Sequence, residues 1–460
     1  MGVTRLRSDV ENELGPVENA YLAAPDDDNN RRAYAGTLFK LGNMWQANEI
    51  MAPLATSSAL NTDDLRLGAR IALLLSDYNR ASTLFERLGR VADNGSEIHT
   101  KALEGLAMVD YQANRYSKSR ELRLPDQGDL RGRGTLLTFM QRFEGEPYQI
   151  EWATPEKVAH LPIINDFTPP GALPRMRLEI NGFPMEFILD TGGNMLYVDE
   201  AIAQKVGIRS ITRREARYAY TKGEYVSESL GVADTVKMGN VTLKNVPTTV
   251  AKWKVMGLDS DGVVTTQVLK QFLSTVDYEN RRLTFRERSQ SGRRQLLDSF
   301  GGEEPQEAPF FMADTHAMFT KGTLNGRPGL NMLMDSGLAA STPLVIPNET
   351  VEFLGIGRNA IQGTRFYWSP IESYGISTLL RGPTQALGNV IVEENTYWSF
   401  GFLFDALVSH QYLRHLGSWT IDFDTMTYYF SVALAGRRVN EDPSKIQSWW
   451  NGKRVRTPSS

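Results

Sequence analysis

Two aspartates in similar short motifs are the residues of this chain best suited to acid–base chemistry. Asp190 lies in FILDTGGNMLYV and Asp335 in NMLMDSGLAASTPL, and each follows apolar residues and precedes a hydroxyl residue and a glycine. A carboxylate is costly to bury in apolar surroundings unless it is hydrogen-bonded or shares a proton. If the fold brings Asp190 and Asp335 into contact, they will share one proton, and the pair can act as base and acid together.

The segments around the two aspartates repeat each other well beyond the motif itself. INGFPMEFILDTGGNMLYV is answered by LNGRPGLNMLMDSGLAASTPL, and DGVVTTQVLKQFLSTVDYENRRLTF by DALVSHQYLRHLGSWTIDFDTMTYYF. Four landmark pairs keep the same order at offsets of 144 to 149 residues: Asp190/Asp335, Gly239/Gly388, Asp261/Asp405 and Asp277/Asp422. Such a period predicts an internal duplication, with two strand-rich lobes of roughly 140 residues each.

The paired Asp-Thr-Gly and Asp-Ser-Gly segments resemble the active-site loops of aspartic peptidases, of the retropepsin-like kind widespread in bacteria. Two copies in one chain resemble the bilobal, pepsin-like arrangement, over about residues 145 to 432. The resemblance implies an all-β bilobal aspartic-peptidase fold with Asp190 and Asp335 as the catalytic dyad. It also implies hydrolysis of peptide or protein substrates, without a cofactor and without a homodimer to assemble the dyad.

The residues that follow each aspartate have expected roles in this chemistry. The ionised aspartate takes a proton from a water held between the pair, and the protonated one donates to the scissile carbonyl oxygen. Gly192 and Gly337 allow the backbone to turn and supply amides near the carboxylates. In the family the hydroxyls after each aspartate interlock across the lobe interface, which assigns Thr191 and Ser336 to holding the dyad rigid.

Four positions near the dyad depart from the family pattern. The family usually has a glycine in the later segment that packs beneath each aspartate loop, and here Thr265 and Ser409 occupy those positions. Either hydroxyl can donate a hydrogen bond, but the close packing that glycine allows is in doubt. Acid-acting members often carry a hydroxyl where this chain has Gly193 and Leu338. We therefore expect a less acidic dyad and a pH optimum nearer neutrality.

Two segments are candidates for the cleft. A flap that closes over substrate is expected between the first aspartate loop and MGNV, where RYAYTKGEYVSESLG lies. Gly223 is the candidate tip and Tyr220 the candidate flap aromatic, and an ordinary exposed hairpin is the alternative. In the second lobe GTRFYWSPIESYG occupies the matching place. Its Trp368 is expected either to line the cleft or to belong to a packed loop.

Residues 30 to about 125 have helical periodicity instead. AYAGTLFKLGNMWQANEIMAPL, LGARIALLLSDYNRASTLFERL and TKALEGLAMVDYQANRYSKSRELR each indicate a helix, a turn and a second helix. Ala47, Ala81 and Ser119 recur at spacings of 34 and 38 residues, which resembles the period of tetratricopeptide repeats. We predict a tetratricopeptide-like helical domain, with a plain helical bundle as the alternative and a protein partner on its surface. Its aromatic residues are expected in the core: Trp45, Tyr78 and Tyr116.

A chain of 460 residues is too long for a single core. The changes of pattern predict a multidomain protein in five parts: a helical domain at 1–140, a first lobe at 141–290, a linker at 291–307, a second lobe at 308–435 and a tail at 436–460. The net charge of −4 and the lack of a Lys/Arg block argue against nucleic acid as a partner.

Composition also bounds the chemistry and the location. The chain has no cysteine, which excludes disulfides and thiolate sites, and its five histidines show no metal-binding spacing, so no metal is expected. No apolar run approaches the ~18 residues that a transmembrane helix needs. The N-terminal MGVTRLRSDVENELG has no signal-peptide core. The compartment stays open, with an exported protein whose signal was removed favoured over a cytoplasmic one.

An aspartic endopeptidase that uses the dyad is the function that these residues favour. Two alternatives remain open at this point. The lobes could be a catalytically silent module that binds an extended peptide as an added strand, a reading which Thr265 and Ser409 favour slightly. The dyad could also serve another acid–base reaction on a small molecule, because fold alone does not define function.

Overall fold

The computed structural model describes residues 7–53, 61–124, 133–167, 172–216, 225–252, 260–313, 315–338, 344–356, 359–360, 366–376, 386–393 and 400–431. Within these residues, helices dominate as far as residue 142 and strands dominate after it. The change of periodicity in the sequence therefore corresponds to a change of architecture. No described helix is long and apolar enough to cross a bilayer.

The N-terminal part forms a helical layer, the name used below for residues 7–142. Its helices are α1 Arg7–Ala23, α2 Asp28–Lys40, α3 Met44–Met51, α4 Thr62–Leu74, α5 Tyr78–Val91, α6 Glu97–Gln112 and α7 Arg133–Arg142, with a 3-10 turn at Tyr116–Glu121. Side chains that accept from first-turn amides define four helix starts: Asp27, Asn61, Asp77 and Ser96. These caps satisfy N–H groups that have no partner inside the helix.

The three small residues of the predicted repeats all lie where helices pack closely. Ala47, Ala81 and Ser119 have no exposed surface. The third segment differs from the prediction, because its second helix is a 3-10 turn rather than an α-helix. This turn has no side-chain N-cap, and the Ser119 hydroxyl donates instead to Asp110 on α6, at 3.0 Å. The tetratricopeptide assignment itself stays a prediction.

The three aromatic residues expected in this core have different environments. Tyr116 is buried, with 1% of its surface exposed, and Tyr78 is half-buried. The prediction for Trp45 was wrong, because 41% of its surface is exposed. Met44, Ala47 and Met51 are the residues of α3 that turn to the core, so Trp45 lies on the outer side of the helix.

The rest of the described chain is mainly strands. They are β1 Gln149–Trp152, β2 Val158–Pro162, β3 Arg175–Ile180, β4 Phe183–Asp190, β5 Leu196–Asp199, β6 Arg209–Ala216, β7 Val226–Met238, β8 Val241–Ala251, β9 Gly262–Thr265, β10 Leu273–Asp277, β11 Arg282–Arg286, β12 Gln306–Ala313, β13 Ala317–Leu324, β14 Arg327–Asp335, β15 Leu344–Pro347, β16 Asn359–Ala360, β17 Phe366–Ile376, β18 Ala386–Glu393, β19 Ala406–Ser409, β20 Ser418–Asp422 and β21 Thr427–Phe430. Short helices connect some of them: α8 Glu200–Lys205, α9 Thr266–Leu269, α10 Gln290–Asp298, α11 Asn348–Leu354 and α12 His410–Leu413. Most strands alternate buried and exposed residues or are buried throughout, as strands in a layered β fold do.

The strands form two sheets. One has eight strands in the order β1-β8-β5-β9-β4-β3-β7-β6. The other has thirteen, in the order β16-β17-β18-β15-β19-β14-β13-β12-β21-β20-β10-β11-β2. Strand β4 ends at Asp190 and strand β14 ends at Asp335. Each of them pairs in parallel with a later strand of its own sheet, β4 with β9 and β14 with β19.

The larger sheet crosses the boundary that the sequence predicts between the lobes. Strands β2, β10 and β11 come from the first lobe, yet β10 pairs antiparallel with β20 of the second, with Ser274 opposite Ile421 and Val276 opposite Trp419. The Thr275 and Thr420 hydroxyls meet at 2.7 Å across the same pair of strands. The lobes are therefore joined by continuous backbone hydrogen bonding, and not only by the linker.

The predicted linker at 291–307 is partly helical, since α10 occupies much of it. Ser289 caps this helix by accepting from the Gly292 amide at 3.2 Å. Leu296 is buried, and Arg293 donates to the Asp422 carboxylate on β20 at 2.6 Å. The polar composition from which the sequence predicts a linker therefore belongs, in large part, to a helix that lies on the shared sheet.

The helical layer shares apolar cores with both lobes. One core joins helices α2 to α4 to the second lobe and contains Phe39, Met44, Ile71, Phe319, Leu333 and Phe402. Another joins α6 and α7 to the first lobe and contains Met108, Tyr111, Phe139, Met195, Leu230 and Val232. Burial of these side chains is worth roughly 1.5–3 kcal/mol each. The layer is thus packed onto the β lobes rather than tethered beside them.

A buried ion pair fastens the start of the helical layer to the second lobe. The Arg7 guanidinium donates to both carboxylate oxygens of Asp405, at 2.9 Å from Nε, and the two side chains are 5% and 4% exposed. Asp405 also accepts from the Asn331 amide at 2.6 Å. A carboxylate held in this way depends on its cation, because it has little access to water.

Arg7→Met removes that cation and leaves Asp405 buried. We expect a loss of about 3–5 kcal/mol in the free energy of unfolding, measured by denaturant titration. Arg66→Met, in the exposed pair with Asp63, is the matched control, and it should change stability by no more than about 0.5 kcal/mol. Equal effects of the two substitutions would show that the Arg7 pair does not anchor the layer.

Candidate functional site

The two aspartate loops lie at the ends of matching strands. Asp190 is the last residue of β4 and stands opposite Thr265 of β9, while Asp335 is the last residue of β14 and stands opposite Ser409 of β19. Each strand begins exposed and becomes buried just before its aspartate, over residues 187–189 in β4 and 330–334 in β14, which accounts for the apolar residues there. Both aspartates keep part of their surface accessible at the loops.

Four hydrogen bonds interlock the loops. The Thr191 amide donates to Ser336 Oγ at 3.0 Å, and the Ser336 amide donates to Thr191 Oγ1 at 2.9 Å. Each hydroxyl then donates to a carbonyl on the opposite strand, Thr191 Oγ1 to Met334 at 2.9 Å and Ser336 Oγ to Leu189 at 3.3 Å. Both side chains have no exposed surface, so these bonds form in a region shielded from water. The relative position of the loops is consequently well defined.

The glycines of the motifs let the aspartates approach. A Cβ added to Gly192 would lie 2.6 Å from Asp335 Cγ, and one added to Gly337 would lie 2.0 Å from Asp190 Cγ. Each glycine amide also donates to the aspartate of its own loop, at 2.7 Å to Asp190 Oδ1 and 2.9 Å to Asp335 Oδ1. Any larger residue would therefore separate the carboxyl groups.

The carboxyl groups of Asp190 and Asp335 are hydrogen-bonded to each other, and the pKa of each is raised above its usual value. Burial and the neighbouring Asp190 raise the pKa of Asp335 well above its usual range. Burial also raises the pKa of Asp190, although hydrogen bonds from Asp335 and from the amides of Gly192 and Gly193 oppose this shift. The pair therefore shares one proton, with one carboxyl group protonated and the other ionised.

Thr265 packs beneath the first loop because Gly193 leaves space for it. A Cβ added to Gly193 would lie 2.8 Å from the Thr265 methyl carbon. The Thr265 hydroxyl is satisfied as well, since it donates to the Asn194 carbonyl at 2.7 Å. In this lobe the two departures from the family pattern therefore compensate for each other. The small Gly193 makes room for the larger Thr265, and the close packing is preserved.

Ser409 is accommodated differently in the second lobe. Its side chain is fully buried and caps helix α12 by accepting from the Gln411 amide at 3.1 Å. In the first lobe the neighbouring Thr266 supports the dyad loop, because its hydroxyl donates to the Thr191 carbonyl at 2.7 Å. Sequence reasoning missed Thr266. The sequence signal that could have indicated it is the polar run Thr265 to Gln267 directly after an apolar strand. In the structure all three residues of this run are buried.

A second contact between the lobes lies close to the dyad. Asn194 Nδ2 donates to the Thr315 hydroxyl at 3.2 Å, and that hydroxyl lies 2.7 Å from His316 Nδ1. Asn194 follows Asp190 by four residues, and Thr315 lies in the turn between β12 and β13. Nothing in the sequence motif indicates this contact, because the turn is far from the motif along the chain.

The flap and cleft candidates are only partly within the described residues. Tyr220 and Gly223 lie outside them, between strands β6 and β7, which pair antiparallel from Arg209/Val232 to Ala216/Val226. Trp368 belongs to β17, and its backbone pairs with Ile391, while its side chain lies outside the described part of the chain. Among the described residues, no cluster of three His, Asp or Glu side chains could hold a metal ion.

Comparisons with known proteins agree with the motif reading in part. Residues 176–268, which contain Asp190 and Thr265, match a family of aspartyl proteases. No curated protein matches the chain. Among solved structures, a retropepsin-like aspartic protease from Rickettsia conorii aligns at 17% identity with a TM-score of 0.21, over 30% of this chain and 94% of its own. Basic 7S globulin from soybean aligns at 9% identity with a TM-score of 0.36, over 60% of this chain and 96% of its own. The match to the family model thus shows an aspartic-protease-like domain at residues 176–268.

The exchange between Gly193 and Thr265 can be tested with a double-mutant cycle. Gly193→Ala should lower the free energy of unfolding by about 1–3 kcal/mol, because the new methyl meets Thr265. Thr265→Ser removes the opposing methyl and keeps the hydroxyl, so the double variant should recover at least about 0.5 kcal/mol. Thr265→Val, which keeps the methyl, is the matched control and should give no recovery. Additive losses with Thr265→Ser would contradict the exchange.

The raised pKa of Asp335 predicts how stability depends on pH. Between its usual pKa of 3.8 and the raised value, the folded chain keeps a proton that the unfolded chain has lost, so stability falls as pH rises through this window. Asp335→Asn removes this loss while its amide can still donate to Asp190. We expect a higher unfolding temperature than wild type at pH 7, and a difference that shrinks towards pH 3.8.

The exposed Asp298 at the end of α10 provides the matched control for this measurement. Asp298→Asn makes the same chemical change away from the dyad, and its difference from wild type should not vary in this way with pH. A lower unfolding temperature for Asp335→Asn at pH 7 would mean that the two carboxyl groups are not held together.

Proposed function

We propose that this protein is an aspartic endopeptidase. The observation that carries the proposal is the contact between the Asp190 and Asp335 carboxyl groups, which raises the pKa of the pair and lets it share one proton. The ionised Asp190 takes a proton from the attacking water, and Asp335 donates its proton to the carbonyl oxygen of the scissile amide. The two carboxyl groups are kept in contact by the interlocked hydroxyls of Thr191 and Ser336 and by the absence of side chains at Gly192 and Gly337.

The repeated surroundings of the dyad support an internal duplication as the origin of the two lobes. Each aspartate strand pairs in parallel with a later strand. In each lobe a second aspartate also accepts a backbone amide from the dyad strand: Asp261 from Glu186 at 3.0 Å and Asp405 from Asn331 at 2.6 Å. A bilobal fold of this kind supplies both halves of the dyad from one chain.

The packing around Thr265 bears on the alternative of a silent peptide-binding module. That alternative drew its support from the two hydroxyl residues in place of glycine. Thr265 and Ser409 are both hydrogen-bonded and buried without separating the aspartates, so they are compatible with a working dyad. A protein partner on the helical layer, an exported location and a reaction on a small molecule stay predictions.

Proteolysis of a denatured protein mixture tests the proposal. Wild type should generate new termini by mass spectrometry, and Asp190→Asn and Asp335→Asn should each reduce the cleavage rate at least about 100-fold, because each removes one partner of the acid–base pair. Asp298→Asn is the matched control and should cut like wild type. No cleavage by folded wild type between about pH 3 and 8 would favour the binding-module reading.

The same assay gives the pH dependence. The raised pKa of Asp335 keeps the dyad singly protonated into less acidic solution, and Gly193 and Leu338 supply no hydroxyl that would stabilise a second negative charge. We therefore expect the rate to be greatest nearer neutral pH. A maximum below about pH 3.5 would contradict this expectation.

A further inference from the structure

Helix α9 contacts the first dyad loop along one side. Thr266 donates twice to this loop, from its hydroxyl to the Thr191 carbonyl at 2.7 Å and from its amide to the Gly193 carbonyl at 3.3 Å. The Gln267 amide donates to the Asn194 carbonyl at 3.2 Å. Any displacement of α9 would therefore move the loop that carries Asp190.

The end of α9 is held by the helical layer. Lys270 Nζ donates to the Tyr78 hydroxyl, the Gln112 carbonyl and Gln112 Oε1, each at 2.7 Å, and the lysine is 3% exposed. None of the three acceptors around the Lys270 nitrogen carries a charge. The adjacent Gln271 also accepts from Asn114 of the layer, at 2.9 Å. Such a buried polar contact is well defined only while all its partners are present.

Gln112 contacts the first lobe directly and is linked to the second lobe through Gln267. Gln112 Oε1 accepts from Gln267 Nε2 of the first lobe at 3.1 Å. Gln267 Nε2 also donates to the Thr315 carbonyl of the second lobe, at 2.5 Å. The Thr315 hydroxyl in turn accepts from Asn194 in the dyad loop. Gln267, Thr315 and Asn194 thus form a hydrogen-bonded ring that joins the two lobes beside the dyad loop, and Gln112 of the helical layer holds the Gln267 side chain of this ring.

We propose that Lys270 and Gln112 are positioning residues for the dyad, and that the helical layer is part of the catalytic unit. They hold α9, and through it the Asp190 loop, where the two carboxyl groups meet. The catalytic consequence rests on the proposed peptidase function, whereas the effect on the dyad geometry does not. Neither residue contacts the carboxyl groups, so their effect is transmitted through Thr266 and Gln267.

Lys270→Met tests this proposal in the peptidase assay. We expect kcat to fall about tenfold with KM within about twofold of wild type, because the change disturbs the dyad and not the surface that binds substrate. Lys321→Met is the matched control. Lys321 also joins the helical layer to a lobe, because it donates to Leu41 O at 2.8 Å and to Asn331 Oδ1 at 2.7 Å. It contacts strand β14, which leads to the second dyad loop, and not helix α9. Its kcat should stay within about twofold of wild type, and equal losses in the two variants would overturn the proposal.

Two substitutions at Gln112 keep the test decisive if Lys270→Met does not fold. Gln112→Met removes the side-chain amide that binds Lys270 and Gln267, while the Gln112 carbonyl and Tyr78 still bind Lys270, and kcat should fall about threefold. Gln112→Glu keeps an acceptor for both Lys270 and Gln267, and kcat should remain within about twofold of wild type. A Gln112→Met variant with wild-type kcat would overturn the proposal.

A measurement without substrate separates this inference from the proposed function. At pH 7 the rise in unfolding temperature caused by Asp335→Asn reports how closely the two carboxyl groups are held. We expect this rise to shrink in the Gln112→Met background, because a displaced Asp190 loop relieves the contact. If the two substitutions have additive effects on the unfolding temperature, the positioning role is excluded. This outcome is independent of whether the protein cuts peptides.

Discussion

Two buried carboxyl groups in contact are the constraint on which the rest of this structure depends. They repel each other unless they share a proton, so the fold must press them together against an electrostatic cost. Interlocked hydroxyls, two glycines without side chains and loop amides aimed at the carboxylates all serve that end. Each loop is completed by groups from the other lobe, and neither can adopt its final geometry alone.

The helical layer extends the same dependence outward. Its apolar side chains share cores with both lobes, and its polar side chains reach the helix behind the Asp190 loop. The sheet that passes from one lobe to the other adds continuous backbone bonding between them. A flexible two-lobed clamp would need weak contacts between the lobes, whereas here three independent kinds of contact restrict their relative motion.

The sequence was sufficient to predict what is encoded by short motifs with strict geometric demands. Asp190, Asp335 and the residues that follow them could be paired because both copies carry the same turn chemistry. The exchange between Gly193 and Thr265 could not be foreseen, because each position was judged alone and the compensation exists only in three dimensions. The sequence also assigns strands β10 and β20 to different lobes. Their pairing could not be predicted, because it depends on contacts between residues about 145 positions apart.

The pair between Arg7 and Asp405 spans 398 residues and has a consequence for how the protein is made. A ribosome releases the helices first, so their apolar faces emerge long before strands β12 to β14 and β19 exist to cover them. The aspartate strand of the second lobe likewise waits for β19, its parallel neighbour. During synthesis the nascent chain therefore cannot bring its two carboxyl groups together in their final geometry until β19 has left the ribosome.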